Sequence, residues 1–140
     1  MAITQALCTS AKVDFLSGAQ TPLTDTLKIA LYTNTATLSE ATTAYSSSNE
    51  VPASGTYPAG GGTLTGTVIT SSGATAWISF NNITFSAATI TARGALIYNA
   101  TKANKSIAVL DFGSDTTSNV GTFTSQFPTA DATSAIIRFA

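Results

Sequence analysis

Histidine is absent from this sequence, and cysteine occurs once, at Cys8. A Ser or Cys triad needs a nearby base, and zinc sites draw on His and Cys in sets, so both classes lose their usual residues. A lone cysteine also excludes an intrachain disulfide. Cys8 is either a small apolar residue near the N-terminus or a thiol open to reaction or to an interchain bridge. Charge is equally scarce, at 9% of residues with a net charge of −1. The six basic residues Lys12, Lys28, Arg93, Lys102, Lys105 and Arg138 are scattered apart from the Lys102/Lys105 pair, so no field draws a phosphate backbone and no nucleic-acid partner is expected. No run approaches the roughly 20 apolar residues that span a bilayer, and the start Met1-Ala2-Ile3-Thr4-Gln5-Ala6-Leu7 lacks the basic residues and apolar core of a signal peptide. The expectation is a chain folded in a cytoplasm, with no membrane partner, no metal and no cofactor.

What is present is uncharged polarity. Roughly three residues in ten are Ser or Thr, against an ordinary 44% of hydrophobic residues. A length of 140 residues suits one domain, 1–140, with a core large enough to need no staples. Hydroxyls, methyls and backbone are the materials of a β-rich packing or binding module. A surface so poor in charge is weakly protected from self-association, which suggests that much of it is covered in the working state.

The pattern along the chain supports this. Ile3, Leu7, Ala11 and Phe15 recur at i+4 and Gly18 stands where a helix ends, so residues 3–17 are predicted as the single helix, within an N-terminal segment 1–18. It packs either on its own core or as an intermolecular arm, which makes Leu7 and Phe15 contact candidates. Leu27, Ile29 and Leu31 alternate with Lys28, Ala30 and Tyr32 as in a strand. Residues 34–62 lose all alternation, and a loop of that length is functional or disordered. Tyr45 and Tyr57 argue for contact, because amphipathic rings in a Gly-rich loop are useful when docked. Short strands follow: 63–70 and 74–80 around Ser71-Ser72-Gly73, a bent segment at Ile83-Thr84-Phe85, 91–98 and 106–112, and 121–127 and 132–139 joined across Pro128 and Asp131. The chain closes on Ile136-Ile137-Arg138-Phe139-Ala140, read as a strand locked into a sheet. About eight strands with one helix predict an all-β antiparallel sandwich or jelly-roll-like barrel.

Chemistry-bearing constellations are few. The acids are Asp14, Asp25, Glu40, Glu50, Asp111, Asp115 and Asp131, most of them in turn-like settings. Asp111 either faces solvent or pairs with Arg93 on a neighbouring strand. Asp111 and Glu50 are the obvious candidates for a two-carboxylate hydrolase, but no spacing marks them out and no enzyme is expected. Gly60-Gly61-Gly62 has no following Lys-Ser/Thr and is not a phosphate loop. Asn82-Ile83-Thr84, Asn99-Ala100-Thr101 and Asn104-Lys105-Ser106 match the glycosylation pattern as chance does in a Thr-rich chain. Trp77, flanked by Ile78 and Phe80, is either an outward interface residue or core. Arg93, in an otherwise apolar strand, needs a carboxylate, a carbonyl or a subunit contact.

The stretch Thr89-Ile90-Thr91-Ala92-Arg93-Gly94-Ala95-Leu96-Ile97-Tyr98-Asn99, followed by Ile107-Ala108-Val109-Leu110-Asp111-Phe112-Gly113 and Gly121-Thr122-Phe123-Thr124, resembles a family of small virion proteins of tailed bacteriophages. Met1-Ala2-Ile3-Thr4-Gln5-Ala6, Phe15-Leu16-Ser17-Gly18, Lys28-Ile29-Ala30-Leu31-Tyr32 and Tyr57-Pro58-Ala59-Gly60-Gly61 belong to the same pattern, so it spans nearly the whole chain. The resemblance implies a capsid cement or decoration protein, made in the host cytoplasm and bound to the outside of the head at the major capsid protein, often as a trimer. The alternative is a tail or fibre component that binds a host-surface glycan through Trp77, Tyr45 and Tyr57. On the cement reading, loop 34–62 and the N-terminal segment make the contacts, and deletion of 40–60 abolishes shell binding but leaves a folded domain.

Overall fold

Alternating apolar residues and short turns produce a two-sheet antiparallel structure, seen in a computed structural model that describes residues 2–125, 135 and 137–139. Strands account for 52% of it, with one short helix and no closed barrel. The chain is thus an all-β sandwich with a short helix. The elements are β1 (Ala6–Leu7), α1 (Thr9–Ser17), β2 (Leu27–Tyr32), β3 (Gly62–Thr63), β4 (Val68–Ser72), β5 (Thr75–Ser79), β6 (Ile83–Asn99), β7 (Lys105–Ser125) and β8 (Ile137–Phe139). The large sheet runs β1-β7-β6-β2-β3 and the small one β4-β5-β8.

The helix begins at Thr9, six residues later than the i+4 pattern predicts. Backbone pairing decides this. Ala6 and Leu7 add a strand to β7, and Ile3 bridges Leu38, so their N–H and C=O groups are taken by a sheet before a helix can use them. The C-terminus follows the prediction: Gly18 lies at φ 78°, where its N–H meets the Phe15 carbonyl, and the Ala19 N–H meets that of Asp14.

The predicted strands 83–85 and 91–98 form one 17-residue strand, and 106–112 and 121–125 are parts of one 21-residue strand. Register shifts between Phe85 and Ala88, Ala88 and Ile90, and Ala92 and Gly94 interrupt the alternation that would have revealed them. Such bulges bend and twist a ribbon without ending it. Phe127, the turn at Pro128 and Asp131, and residues 132–134, Ile136 and Ala140 lie outside the described residues. The 63–70 strand is divided into β3 and β4. The β4–β5 turn falls at Gly73 (φ 59°) and Ala74, one residue beyond the predicted turn, and both serines belong to the strand.

Across β2, residues 95–99 of β6 and residues 106–110 of β7, the large sheet is buried on both faces. Leu27, Ile29, Leu31, Ala95, Ile97 and Leu110 pack toward Ile78, Phe80 and Ile137 of the small-sheet region. On the opposite face Ala30, Tyr32, Leu96, Tyr98 and Val109 are covered by Cys8, Ala11, Ala36 and Leu38. The helix therefore packs on its own core. Cys8 is fully buried, and burial pushes its thiol pKa up, so the thiolate that reaction requires is disfavoured.

Asn99, at the end of β6, is the largest of the wholly enclosed polar side chains among the described residues. Its amide donates to Gln20 Oε1 (2.6 Å) and Asp25 Oδ2 (2.7 Å), and its oxygen accepts the N–H groups of Thr101 (3.0 Å) and Lys102 (3.1 Å). It ties the segment after α1 to the β6–β7 turn. Burial pushes the Asp25 carboxyl up, but hydrogen bonds from Asn99 and Thr21 outweigh this and hold it below its ordinary value. Asn99→Ala is expected to cost about 2 kcal/mol in urea unfolding, because it strands the Thr101 N–H and the Gln20 oxygen, while the Lys102 N–H keeps the Asn99 backbone carbonyl. A loss below about 1 kcal/mol would show that the network does not hold the turn.

Candidate functional site

The segment predicted as a contact loop leaves β2 at Tyr32 and returns at β3. It has almost no regular structure, but its path is fixed. Tyr32 bridges Glu50, Ala44 bridges Lys105, and Ser54 bridges Tyr57. The Val51 N–H meets the Leu31 carbonyl at 2.9 Å, and the Tyr45 N–H meets that of Asn104 at 2.9 Å.

At its centre is Glu50, the only charged residue between Glu40 and Arg93. Its Oε1 accepts the Tyr45 hydroxyl at 2.5 Å. Its Oε2 accepts the Tyr57 hydroxyl at 2.8 Å and the Gly60 N–H at 2.8 Å. The Tyr57 oxygen in turn accepts the Leu31 N–H at 2.9 Å, and Tyr98 donates to the Gly60 carbonyl at 2.5 Å. Tyr32 donates to the Ser46 carbonyl at 2.6 Å. Tyr45 stacks on Tyr98 with ring centres 4.7 Å apart, and Tyr57 meets Phe85 edge-on at 4.8 Å. All four tyrosines of the chain thus gather around one carboxylate. Burial, reinforced by the Glu50 charge, pushes each phenol above its ordinary value of 10.0.

Glycine completes the site. Gly61 has φ +85°, and a Cβ there would lie 1.9 Å from the Ile29 carbonyl oxygen. A Gly-rich return is therefore needed for the loop to close against β2. The outward side, by contrast, presents Thr35, Thr37, Ala41, Thr43, Ser47 and Asn49, all exposed, with Glu40 the one charge among them.

The predicted contact residues fall in three places. Tyr45 and Tyr57 belong to the tyrosine cluster, Tyr45 half-buried and Tyr57 only 1% exposed. Tyr57 therefore orders the loop from inside and presents no ring to a partner. Phe15 and Trp77 line a groove of about 260 Å³ together with Pro22, Ile69, Ile137 and Phe139. Phe15 meets Phe139 edge-to-face at 5.4 Å. Leu7 lies in the adjoining depression with Lys12, Leu16 and Phe139. Trp77 is half-buried, while Ile78 and Phe80 point inward. Arg93 stands apart and pairs with Asp111 at 3.5 Å, where Asp111 also accepts the Gly113 N–H.

Several of the carboxylates among the described residues already have partners. Besides Glu50 and Asp111, Asp14 meets Lys105 at 3.6 Å and Asp115 meets Asn34 at 3.1 Å. Deletion of 40–60 would remove Val51 and Tyr57 from the core, so the expectation that it leaves a folded domain does not hold. The roles of Glu50, Tyr32, Tyr98 and Asn99 were missed in the sequence. One signal for Glu50 was there: an isolated charge, in a long uncharged stretch, between two tyrosines. No protein-family model, no curated protein and no solved structure matches this chain.

Proposed function

We propose that the chain is a non-enzymatic virion protein of a tailed phage that binds the outer capsid shell as a cement protein, its copies associating as a homo-oligomer, a trimer on the family pattern. The observation that carries the reading is the outward face of residues 35–49, a hydroxyl and methyl surface with Glu40 as its single charge, ordered from beneath by the Glu50 cluster. Such a surface loses little hydration on docking, and its ordering is complete before a partner arrives. Many copies on one shell then act together through avidity.

Subunit-resolution imaging of virions tests this directly. The chain should lie over the major capsid protein with residues 35–49 facing the shell. In cosedimentation with shells that lack the protein, a double variant Ala41→Lys/Ser47→Lys should keep its fold and lose at least about tenfold in affinity. Position on a tail or fibre would overturn the cement reading. Together with glycan binding lost in Trp77→Ala, it would support the alternative, in which the aromatic groove takes a host-surface sugar.

A further inference from the structure

The two sheets treat their edges differently. The large sheet ends on β1 and β3, each two residues long; β1 covers only Ala108 and Val109 of the long β7, and the rest of that edge carries Asp111 and Asp115. One side of the small sheet ends on β8, which is three residues long and carries Arg138. These are the usual devices against edge-to-edge pairing. The other side ends on β4, Val68-Ile69-Thr70-Ser71-Ser72, and has none of them. It is five residues long and exposed throughout, with three β-branched residues, no charge, no proline and no recorded bulge against β5. Val68 and Ile69 are about half-exposed, at 50% and 45%.

Hydrogen-bond parity says which groups this edge offers. In a hairpin with a two-residue turn, the residues flanking the turn exchange both backbone bonds, and bonded pairs alternate from there. The flanking pair is Ser72 with Thr75, and the register continues through Thr70 with Trp77 and Val68 with Ser79. The N–H and C=O groups of Ser72, Thr70 and Val68 therefore point to β5, and those of Ile69 and Ser71 point away from it. Among the described residues, β4 has no second strand neighbour.

We propose that β4 pairs antiparallel with β4 of a second copy of this chain, about a two-fold axis at Thr70. That register matches all five residues: Val68 with Ser72, Ile69 with Ser71, and Thr70 with its own copy. The two Ile69–Ser71 pairs supply the backbone bonds, since these are the residues whose polar groups face outward. Thr70 opposite Thr70 is a favourable cross-strand pair. A second copy fits because the edge is self-complementary, with no charge at any of its positions to repel its image. A net charge of −1 adds little repulsion between whole molecules. The pairing also continues a row already built, in which Ile69 is registered with Ile78 and Ile78 with Ile137. The small sheets of two copies become one six-stranded sheet. The contact makes pairs, so a trimer uses a different surface, and the pairing holds whether or not the chain binds a shell.

Cysteine scanning of the purified full chain tests the register. In the two-fold pair the Thr70 residues form a non-bonded position with Cα atoms about 4.5 Å apart, within the range a disulfide spans. Under mild oxidation Thr70→Cys should run at twice the chain mass without reductant. Ser71→Cys, placed opposite Ile69, and the wild type, whose Cys8 is buried, should run singly. By sedimentation the wild type should be paired, while Thr70→Lys, which sets two like charges face to face, should be single with an unchanged circular dichroism spectrum. A wild type that stays single at every concentration overturns the proposal and leaves β4 for a strand from another protein. Cross-linking at Ser71→Cys but not at Thr70→Cys overturns the register.

Discussion

Glu50→Ala is expected to lower the unfolding free energy by about 4 kcal/mol, a large share of the roughly 5–15 kcal/mol that holds a domain folded. The carboxylate accepts three hydrogen bonds, from Tyr45, Tyr57 and the Gly60 N–H. Bonds to a charged acceptor contribute about 1.5–3 kcal/mol each, and three on one group overlap, so the sum is less than three separate terms. Alanine leaves the Gly60 N–H and two phenols without an acceptor. The damage spreads because the Gly60 carbonyl is the acceptor for Tyr98, and the Tyr57 oxygen holds the Leu31 N–H of β2. Glu50→Gln should be milder, at about 2 kcal/mol, since its oxygen can serve Tyr57 and Gly60 while Tyr45 turns to accept from the amide. Urea titration measures both, with the midpoint moving and the slope unchanged. A Glu50→Ala variant within about 1 kcal/mol of the wild type would mean that the loop is ordered by packing alone.

Legibility followed period and turn chemistry, and failed where tertiary pairing overrode them. Leu27, Ile29 and Leu31 announced β2 by alternation, and Gly18 announced the helix end. The same alternation left the other face undetermined: Ala30 and Tyr32 are as buried as their neighbours, because Cys8, Ala11, Ala36 and Leu38 cover them. Ile3 and Leu7 lie at helical spacing, yet they belong to a bridge and a strand, and no local signal distinguishes those outcomes. Bulges hid the length of β6 and β7 by shifting the period midway. Tyr45 and Tyr57 were singled out as contact residues of the loop, and the contacts the structure gives them are internal. Their partner was invisible to pattern reading, because a hydrogen-bonded carboxylate leaves no periodicity. Only the isolation of Glu50 in sequence hinted at it.

The same cluster sets an alkaline limit on the fold. A tyrosine whose pKa is raised by folding stays protonated when the unfolded chain would lose its proton. Its contribution is therefore full below the unfolded value near 10 and is lost as pH rises toward the folded value. All four phenols are shifted upward, by burial first and then by the Glu50 charge. Tyr32 and Tyr57 lie deepest, and each should take away about 1.4 kcal/mol of stability per pH unit above 10. Tyr45 and Tyr98, nearer solvent, add less because water screens them. Against a total of about 5–15 kcal/mol, the decline ends in unfolding roughly two to four pH units above the phenol value. Tyrosinate absorbance and far-ultraviolet circular dichroism, followed together through an alkaline titration, should change in one shared step. Tyr32→Phe, which gives up a single hydrogen bond to the Ser46 carbonyl, should start about 1 kcal/mol less stable at neutral pH and then decline more gently. Phenols that ionise near pH 10 while the circular dichroism stays native would sink the claim, since rings free to titrate are not clamped around Glu50.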